Sequence, residues 1–164
     1  MLSYETIDTV DGPFTVVEDG GAVLASGWSA DAREVLDRST RRGEAVTAGV
    51  CASAAAARDF YAGDDGALAG VRIGSAGTAF RMRVWEALRA IPLGTVRTYG
   101  EVAASVGSPA ASRAVGAACG ANPIALFVPC HRVTGANGAL TGFAWGLDVK
   151  RALLAREHGL VSGA

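Results

Sequence analysis

Short apolar runs in the first part of the chain predict β-strands. Three such runs are separated by turn-forming Asp-Gly sequences: 4–9, 14–18 and 22–26. Helical patterns follow at 31–38 and 52–61, and the segment 66–76 is typical of a last strand or an extended linker. We therefore expect a small α/β layer with an antiparallel sheet, in which no catalytic constellation is visible.

The second part of the chain is predicted to be mainly helical. Apolar residues recur at helical spacing over 78–91, and a proline follows them. Thr98 and Glu101 have the spacing of a capping box, which predicts that a helix starts there. Ser108 and Pro109 then have the chemistry of an N-cap and a first-turn proline, which predicts another helix from Pro109 to about Gly120. Two short helices joined by a tight, glycine-containing turn form the helix-turn-helix pattern.

The second of these short helices is rich in small residues and carries one long cation, Arg113. Close packing against another helix is the ordinary explanation of such a composition. Small residues also let a helix lie in a groove of DNA, with Arg113 inserted into the base stack. The Asn, Gln and Arg cluster that reads bases in the major groove is absent, so we expect little sequence specificity. The candidate DNA contacts are Thr98, Ala111, Ser112, Arg113 and Ala114.

The charge of the chain is unevenly distributed. Residues 1–80 hold 6 basic and 12 acidic side chains, whereas residues 81–164 hold 9 basic and 4 acidic ones. The two parts therefore carry −6 and +5, which sum to the net charge of −1. This asymmetry indicates that the second part meets a polyanion, although a chance partition of solvated faces would give the same numbers.

Composition argues against several other classes of protein. No apolar stretch approaches the ~20 residues that span a bilayer. The N-terminus lacks the basic and apolar regions of a signal peptide, so we expect a cytoplasmic protein without membrane contact. Cys51, Cys119 and Cys130 are an odd number without a C-x-x-C pair, which argues against a disulfide framework and a zinc site. We expect no metal and no cofactor.

The densest chemical signal is the sequence Pro129-Cys130-His131-Arg132-Val133. A cysteine beside a histidine is a candidate thiolate with a base close by. Taken alone the pair is a weak indication, because neighbouring residues of a strand point to opposite faces. A buried structural cysteine is the usual explanation.

This segment resembles the active-site signature P-C-H-R-V of the O6-alkylguanine-DNA alkyltransferase family. The resemblance continues through the predicted helices at 98–120, Asn122-Pro123 and later glycines, and it covers 78–159 well. Residues 1–77 resemble the family only in their loose α/β pattern. The segment 142–146 is most similar to the alkyltransferase domain of the bacterial adaptive-response protein, whose zinc-binding domain has no counterpart here.

The family's catalytic residues match five positions of this sequence, and the resemblance implies their roles. Cys130 is the nucleophile, His131 accepts its proton through a water, and Glu157 orients the imidazole. Tyr99 hydrogen-bonds the flipped guanine at N3 and helps it to leave, and Asn122 braces the two halves of the site. Each of the last four also has an ordinary structural explanation, as a core side chain, a turn residue or a solvated carboxylate.

The resemblance also implies which residues line the guanine pocket: Val133, Phe143, Ala144 and Trp145. The backbone carbonyls of Cys130 and Val133 should accept from the guanine amino group, and a backbone N–H near Ala144 should reach O6. Phe143 stands where the family usually has tyrosine, and Trp145 where many members have glycine. We expect the indole of Trp145 to narrow the pocket against bulky alkyl groups, unless it packs as core instead.

The function that the resemblance implies is DNA repair by irreversible transfer of an alkyl group, mainly methyl, to Cys130. The donor is O6 of guanine, and also O4 of thymine, in double-stranded DNA whose damaged nucleotide is flipped out while Arg113 fills its place. The implied organisation is a structural domain at 1–77 and a DNA-binding, alkyl-accepting domain at 78–164, in a monomer that reacts once. A non-catalytic sensor of alkylated bases is the main alternative, and Cys130 argues against it. A cysteine hydrolase would need an oxyanion hole and an acyl substrate, which nothing in the sequence indicates.

Overall fold

A computed structural model describes residues 1–74 and 76–162 of the chain. In this part the strands are β1 (Leu2–Thr9), β2 (Gly12–Asp19), β3 (Ala22–Gly27), β4 (Val46–Ala48), β5 (Arg97–Thr98) and β6 (Val133–Thr134). The α-helices are α1 (Ala32–Leu36), α2 (Ala52–Tyr61), α3 (Ala79–Arg89), α4 (Tyr99–Ser105), α5 (Ser112–Gly120) and α6 (Leu147–Ser162). Two short 3₁₀ helices cover Cys130–Arg132 and Ala136–Gly138. None of the helices in these ranges is long and apolar enough to span a membrane.

The chain divides into two compact units. The first comprises the residues up to 76 together with Pro123–Phe127, and the second comprises Gly77–Asn122 and the chain from Val128 onward. The segment Pro123–Phe127 is held in the first unit by backbone hydrogen bonds from Ser26 N–H to Pro123 O (2.9 Å) and from Ala125 N–H to Ser26 O (3.2 Å). This return of the chain is a tertiary feature that no local pattern of the sequence indicates.

The first unit contains a four-stranded sheet in the order β3-β2-β1-β4. β1 and β2 form an antiparallel hairpin in which Leu2 lies opposite Asp19. The expectation of a wholly antiparallel sheet is wrong for β4, because this strand pairs parallel to β1 with Leu2 opposite Val46. The connection through α1 carries the chain from β3 to the other edge of the sheet, so that β4 enters in the direction of β1. The sheet is therefore small and mixed.

The segment 66–76 forms no strand within its described residues. Residues 66–70 form turns, and Ile73 makes a single parallel bridge with Val23. Backbone hydrogen bonds from Val23 N–H to Arg72 O (2.9 Å) and from Gly74 N–H to Val23 O (2.8 Å) fix this bridge. Ser75, which the predicted strand or linker also included, lies outside the described residues.

The second unit begins with α3, whose apolar face supplies the buried residues Val84, Trp85 and Leu88. The Trp85 indole N–H donates to the carbonyl of Ala118 on α5 at 2.9 Å, so the ring packs without leaving a buried donor unpaired. The predicted capping box is present at the start of α4. Thr98 Oγ1 accepts from Glu101 N–H (3.1 Å), and Glu101 Oε1 accepts from Thr98 N–H (2.9 Å).

α5 begins three residues later than the predicted start at Pro109, since its first helical residue is Ser112. The residues before it close a separate turn, in which Ala111 N–H donates to Ser108 O at 2.8 Å. Ala111 has the non-helical angles φ −98° and ψ 30° and caps the helix with its backbone alone. The Ser-Pro pair therefore belongs to the connection between α4 and α5.

Candidate active site

Cys130 opens a 3₁₀ helix that also contains His131 and Arg132. Its side chain is only 9% exposed, and its backbone N–H donates to Val128 O at 2.8 Å. Successive side chains of a 3₁₀ helix point about 120° apart, so the objection that neighbours in a strand face opposite ways does not hold here. Local backbone structure thus allows adjacent residues to serve one buried site.

His131 and Glu157 form a buried pair between the 3₁₀ helix and α6. The imidazole is 0% exposed and the carboxylate residue 1%. His131 Nε2 lies 2.7 Å from Glu157 Oε2. Arg132 binds the same carboxylate, with Nε donating to Oε1 at 2.8 Å and Nη2 donating to Oε2 at 3.0 Å. The sequence resemblance had paired His131 with Glu157, but it gave no role to Arg132.

The charges of this cluster determine which imidazole nitrogen carries the proton. Burial by itself would raise the pKa of Glu157, but His131 and Arg132 outweigh it and lower that pKa to about 2. An ionised carboxylate only accepts hydrogen bonds, so Nε2 of His131 must be the donor. Burial lowers the pKa of His131, and this effect exceeds the opposing attraction of Glu157. The neutral ring therefore leaves Nδ1 with a free lone pair, and Nδ1 has no hydrogen-bond partner in the described part of the chain.

Asn122 supports the segment that carries the cysteine. Its side-chain Nδ2 donates to Val128 O at 2.9 Å, and Cys130 N–H donates to the same carbonyl at 2.8 Å. Asn122 is only 4% exposed, so this amide is part of the packed interior. The contact lies two residues before the thiol and fixes the backbone there.

Tyr99 is the first residue of α4 and is half-buried. Its hydroxyl lies 3.3 Å from the carbonyl of Thr141 and 3.1 Å from the Thr141 hydroxyl. Burial raises the pKa of Tyr99, so the phenol keeps its proton at neutral pH and can donate it in a hydrogen bond.

Lys150 is a member of the cluster that sequence reasoning missed. It is 1% exposed, and its Nζ donates to the carbonyls of Thr141 (3.2 Å) and Gly142 (3.5 Å). Burial lowers the pKa of Lys150. The spacing of Lys150 could have indicated that it is buried. Lys150, Leu153 and Glu157 share one face of α6 at helical spacing, and all three are buried.

The residues predicted to line the guanine pocket lie at two places. Val133 is fully buried, and its N–H donates to Cys130 O. Phe143 and Trp145 are half-buried and Ala144 is exposed, in the irregular segment before α6. Gly146 N–H closes a turn on Phe143 O at 3.0 Å.

Most of the residues predicted to contact DNA lie on α5 or next to its first residue. Arg113, Ala114 and Ala117 are exposed, whereas Val115 and Ala118 face the interior. The outer face of α5 is therefore a flat surface of small side chains from which one arginine projects. Ala111 and Ser112 at its start are half-buried, as is Thr98, whose hydroxyl already caps α4.

Comparisons with known proteins agree on the class of molecule. The family profile described as 6-O-methylguanine DNA methyltransferase, DNA binding domain, matches residues 79–159. A methylated-DNA–protein-cysteine methyltransferase of Mycobacterium bovis is 40% identical over 157 residues, which cover 96% of this chain and 93% of the relative. The crystal structure of Mycobacterium tuberculosis OGT in complex with DNA matches with a TM-score of 0.80 and 37% identity, over 96% of this chain and 94% of that chain.

The chain belongs to the family of methylated-DNA–protein-cysteine methyltransferases, and its fold is the one found in their solved structures. Some relatives match only part of the chain, at higher identity. The relative of the same name from Methanosarcina acetivorans is 59% identical over 87 residues, or 53% of this chain. That match spans 56% of the Methanosarcina protein, and the match to the Salmonella typhimurium protein spans 60% of it.

Proposed function

We propose that this protein repairs DNA by moving an alkyl group, chiefly methyl, from O6 of guanine to the sulfur of Cys130. The same reaction extends to O4 of thymine. The observation that carries the proposal is the buried His131–Glu157 pair directly beside Cys130, with Nε2 and Oε2 2.7 Å apart. It occurs in a chain whose relatives are named methylated-DNA–protein-cysteine methyltransferases.

The chemistry needs only side chains of this chain and one water. The Cys130 proton passes through a water to Nδ1 of His131, and the imidazolium is stabilised by the ionised Glu157. The sulfur then attacks the alkyl carbon in line, a carbon–sulfur bond forms, and the bond from carbon to O6 breaks. Tyr99 donates a hydrogen bond and then its proton to guanine N3, so that guanine leaves as a neutral base. The Tyr99 phenolate recovers a proton through water from the His131 imidazolium, which returns both side chains to their starting states. The thioether is stable, and each molecule reacts once.

The DNA-binding part of the proposal is a helix-turn-helix made of α4 and α5. The flat outer face of α5 suits a DNA groove, and Arg113 suits insertion in place of the flipped nucleotide. The excess of basic residues in the second part of the chain, +5 over residues 81–164, favours contact with phosphates. The Mycobacterium tuberculosis relative was solved in complex with DNA, which supports double-stranded DNA as the partner here.

The test is incubation with a duplex that contains one O6-methylguanine, followed by intact mass spectrometry of the protein. We expect the protein to gain the mass of one methyl in place of one hydrogen, and Cys130→Ser to gain nothing. Binding of the duplex without a mass change would contradict transfer and favour a sensor of alkylated bases. No feature of the site favours that second function, since the nucleophile is present.

A further inference from the structure

The reaction described above assigns no step to Arg132, although its side chain is buried and hydrogen-bonded, as are those of His131 and Glu157. Arg132 is 7% exposed, and two of its nitrogens bind the two oxygens of Glu157 at 2.8 and 3.0 Å. Its third nitrogen, Nη1, donates to the carbonyl of Ile91 just after α3 at 2.8 Å. The guanidinium is thus fixed at both ends, which a buried cation requires.

This arrangement fixes the direction of the Glu157 carboxylate. Oε2 accepts from both His131 Nε2 (2.7 Å) and Arg132 Nη2 (3.0 Å), while Oε1 is bound by Arg132 Nε. Rotation of the carboxylate would break two charge-assisted hydrogen bonds of a bidentate pair. The oxygen that faces His131 is therefore held in place, and so is the orientation of the ring.

The guanidinium also changes the electrostatic balance at His131. The charged groups that act on this imidazole are Glu157 and Lys150 on α6 and Arg132 beside it. Burial lowers the pKa of His131, Glu157 raises it, and Arg132 and Lys150 lower it further. A lone buried carboxylate at 2.7 Å would favour the imidazolium, whose Nδ1 could no longer accept a proton.

We propose that Arg132 is a positioning residue for alkyl transfer: it orients the Glu157 carboxylate on His131 and offsets its charge, so that His131 rests as a neutral base. The inference rests on the proposed roles of Cys130 and His131. A purely structural arginine would stabilise the fold, but it would not be needed to set the protonation state of the neighbouring imidazole.

The two histidines of the chain, His131 and His158, allow this state to be measured directly. Protein labelled with ¹⁵N at histidine is titrated by long-range ¹H–¹⁵N NMR, which reports the tautomer and the charge of each ring without any DNA. His158 is exposed on α6 and serves as the internal control. Arg151→Gln is the matched control variant, since it also removes one positive charge, but from the exposed side of α6, the helix that carries Glu157.

We expect wild-type His131 to be neutral with its proton on Nε2 at pH 7. In Arg132→Gln, the titration of His131 should move upward by roughly one pH unit or more. Arg151→Gln should leave His131 as in wild type. A His131 that titrates at the same pH in Arg132→Gln and in wild type would overturn the proposal, even if methyl transfer had been demonstrated.

Arg132→Lys separates charge from geometry and covers the case that Arg132→Gln does not fold. Lysine keeps the charge but cannot bind both oxygens in a fork. We expect His131 to titrate as in wild type, and the rate of methyl transfer at saturating DNA to fall at least about tenfold, because the carboxylate is no longer fixed. A wild-type transfer rate in Arg132→Lys would overturn the positioning role. Conversely, failure of methyl transfer in every protein, with the His131 shifts as expected, would contradict the proposed function and leave the role of Arg132 in the charge balance intact.

Discussion

Replacing Glu157 by glutamine removes a carboxylate that the folded protein holds ionised between His131 and Arg132. The pKa of Glu157 falls from its ordinary value of 4.5 to about 2, and the residue is 1% exposed, so water screens little of the effect. Because folding lowers this pKa, the stabilisation is complete above the unfolded value and is lost as the pH falls towards the folded one. It amounts to about 3 kcal/mol at pH 7 and to less than half of that at pH 3.

The assay is urea unfolding of wild type and Glu157→Gln at both pH values, followed by circular dichroism. We expect the difference in unfolding free energy to be about 3 kcal/mol at pH 7 and to shrink to less than half of that at pH 3. Glu86→Gln, an exposed carboxylate on α3, is the matched control and should show a small difference at both. A difference for Glu157→Gln that is equal at pH 7 and pH 3 would refute the reasoning, because the lost stability would then not come from the ionised carboxylate.

Two further predictions concern the DNA and pocket residues. The affinity of the wild type for duplex DNA should fall steeply with added salt. Arg113→Ala should slow repair of duplex DNA more than transfer from the free modified base, and equal slowing of both reactions would rule out insertion of Arg113. Free O6-benzylguanine should inactivate the wild type poorly, and Trp145→Gly should raise its rate about 10- to 200-fold, because the indole crowds the place of the ring. If both proteins react with it at the same rate, Trp145 does not line the pocket.

The sequence correctly predicted the helix boundaries that are determined by residues close by in the chain. α2 runs over Ala52–Tyr61 as predicted, since the alanine-rich segment has high helix propensity and a glycine follows closely at Gly63. The capping box of Thr98 and Glu101 formed as its spacing indicated. In both cases the atoms that make the structure are within one or two turns of each other along the chain.

Features that depend on distant parts of the chain could not be predicted in this way. β4 has three residues, too few for a periodic pattern, and it exists because the sheet edge at β1 was open to it. The Ser-Pro pair before α5 has the chemistry of a helix start, but a turn uses it instead. No local sequence pattern predicts that the connection through α1 leads to the far edge of the sheet.

The candidate site shows the same division. The motif at Cys130 and the family resemblance supplied the residues that react, but not the way in which their charges balance. Arg132 and Lys150 are buried cations, and hydrophobicity patterns place such residues at the surface. The carboxylate of Glu157 stabilises buried Arg132, and the carbonyl of Thr141 accepts a hydrogen bond from buried Lys150.

The central claim is that Cys130 receives the alkyl group, once. The most direct measurement uses a duplex with an isotopically labelled methyl on O6 of guanine, in excess over the protein, followed by peptide mapping. We predict that the label reaches a plateau of one methyl per chain, all of it on the peptide that contains Cys130, and that a second portion of DNA adds none. Label on Cys51 or Cys119, or labelled product that keeps forming beyond one equivalent, would contradict the account.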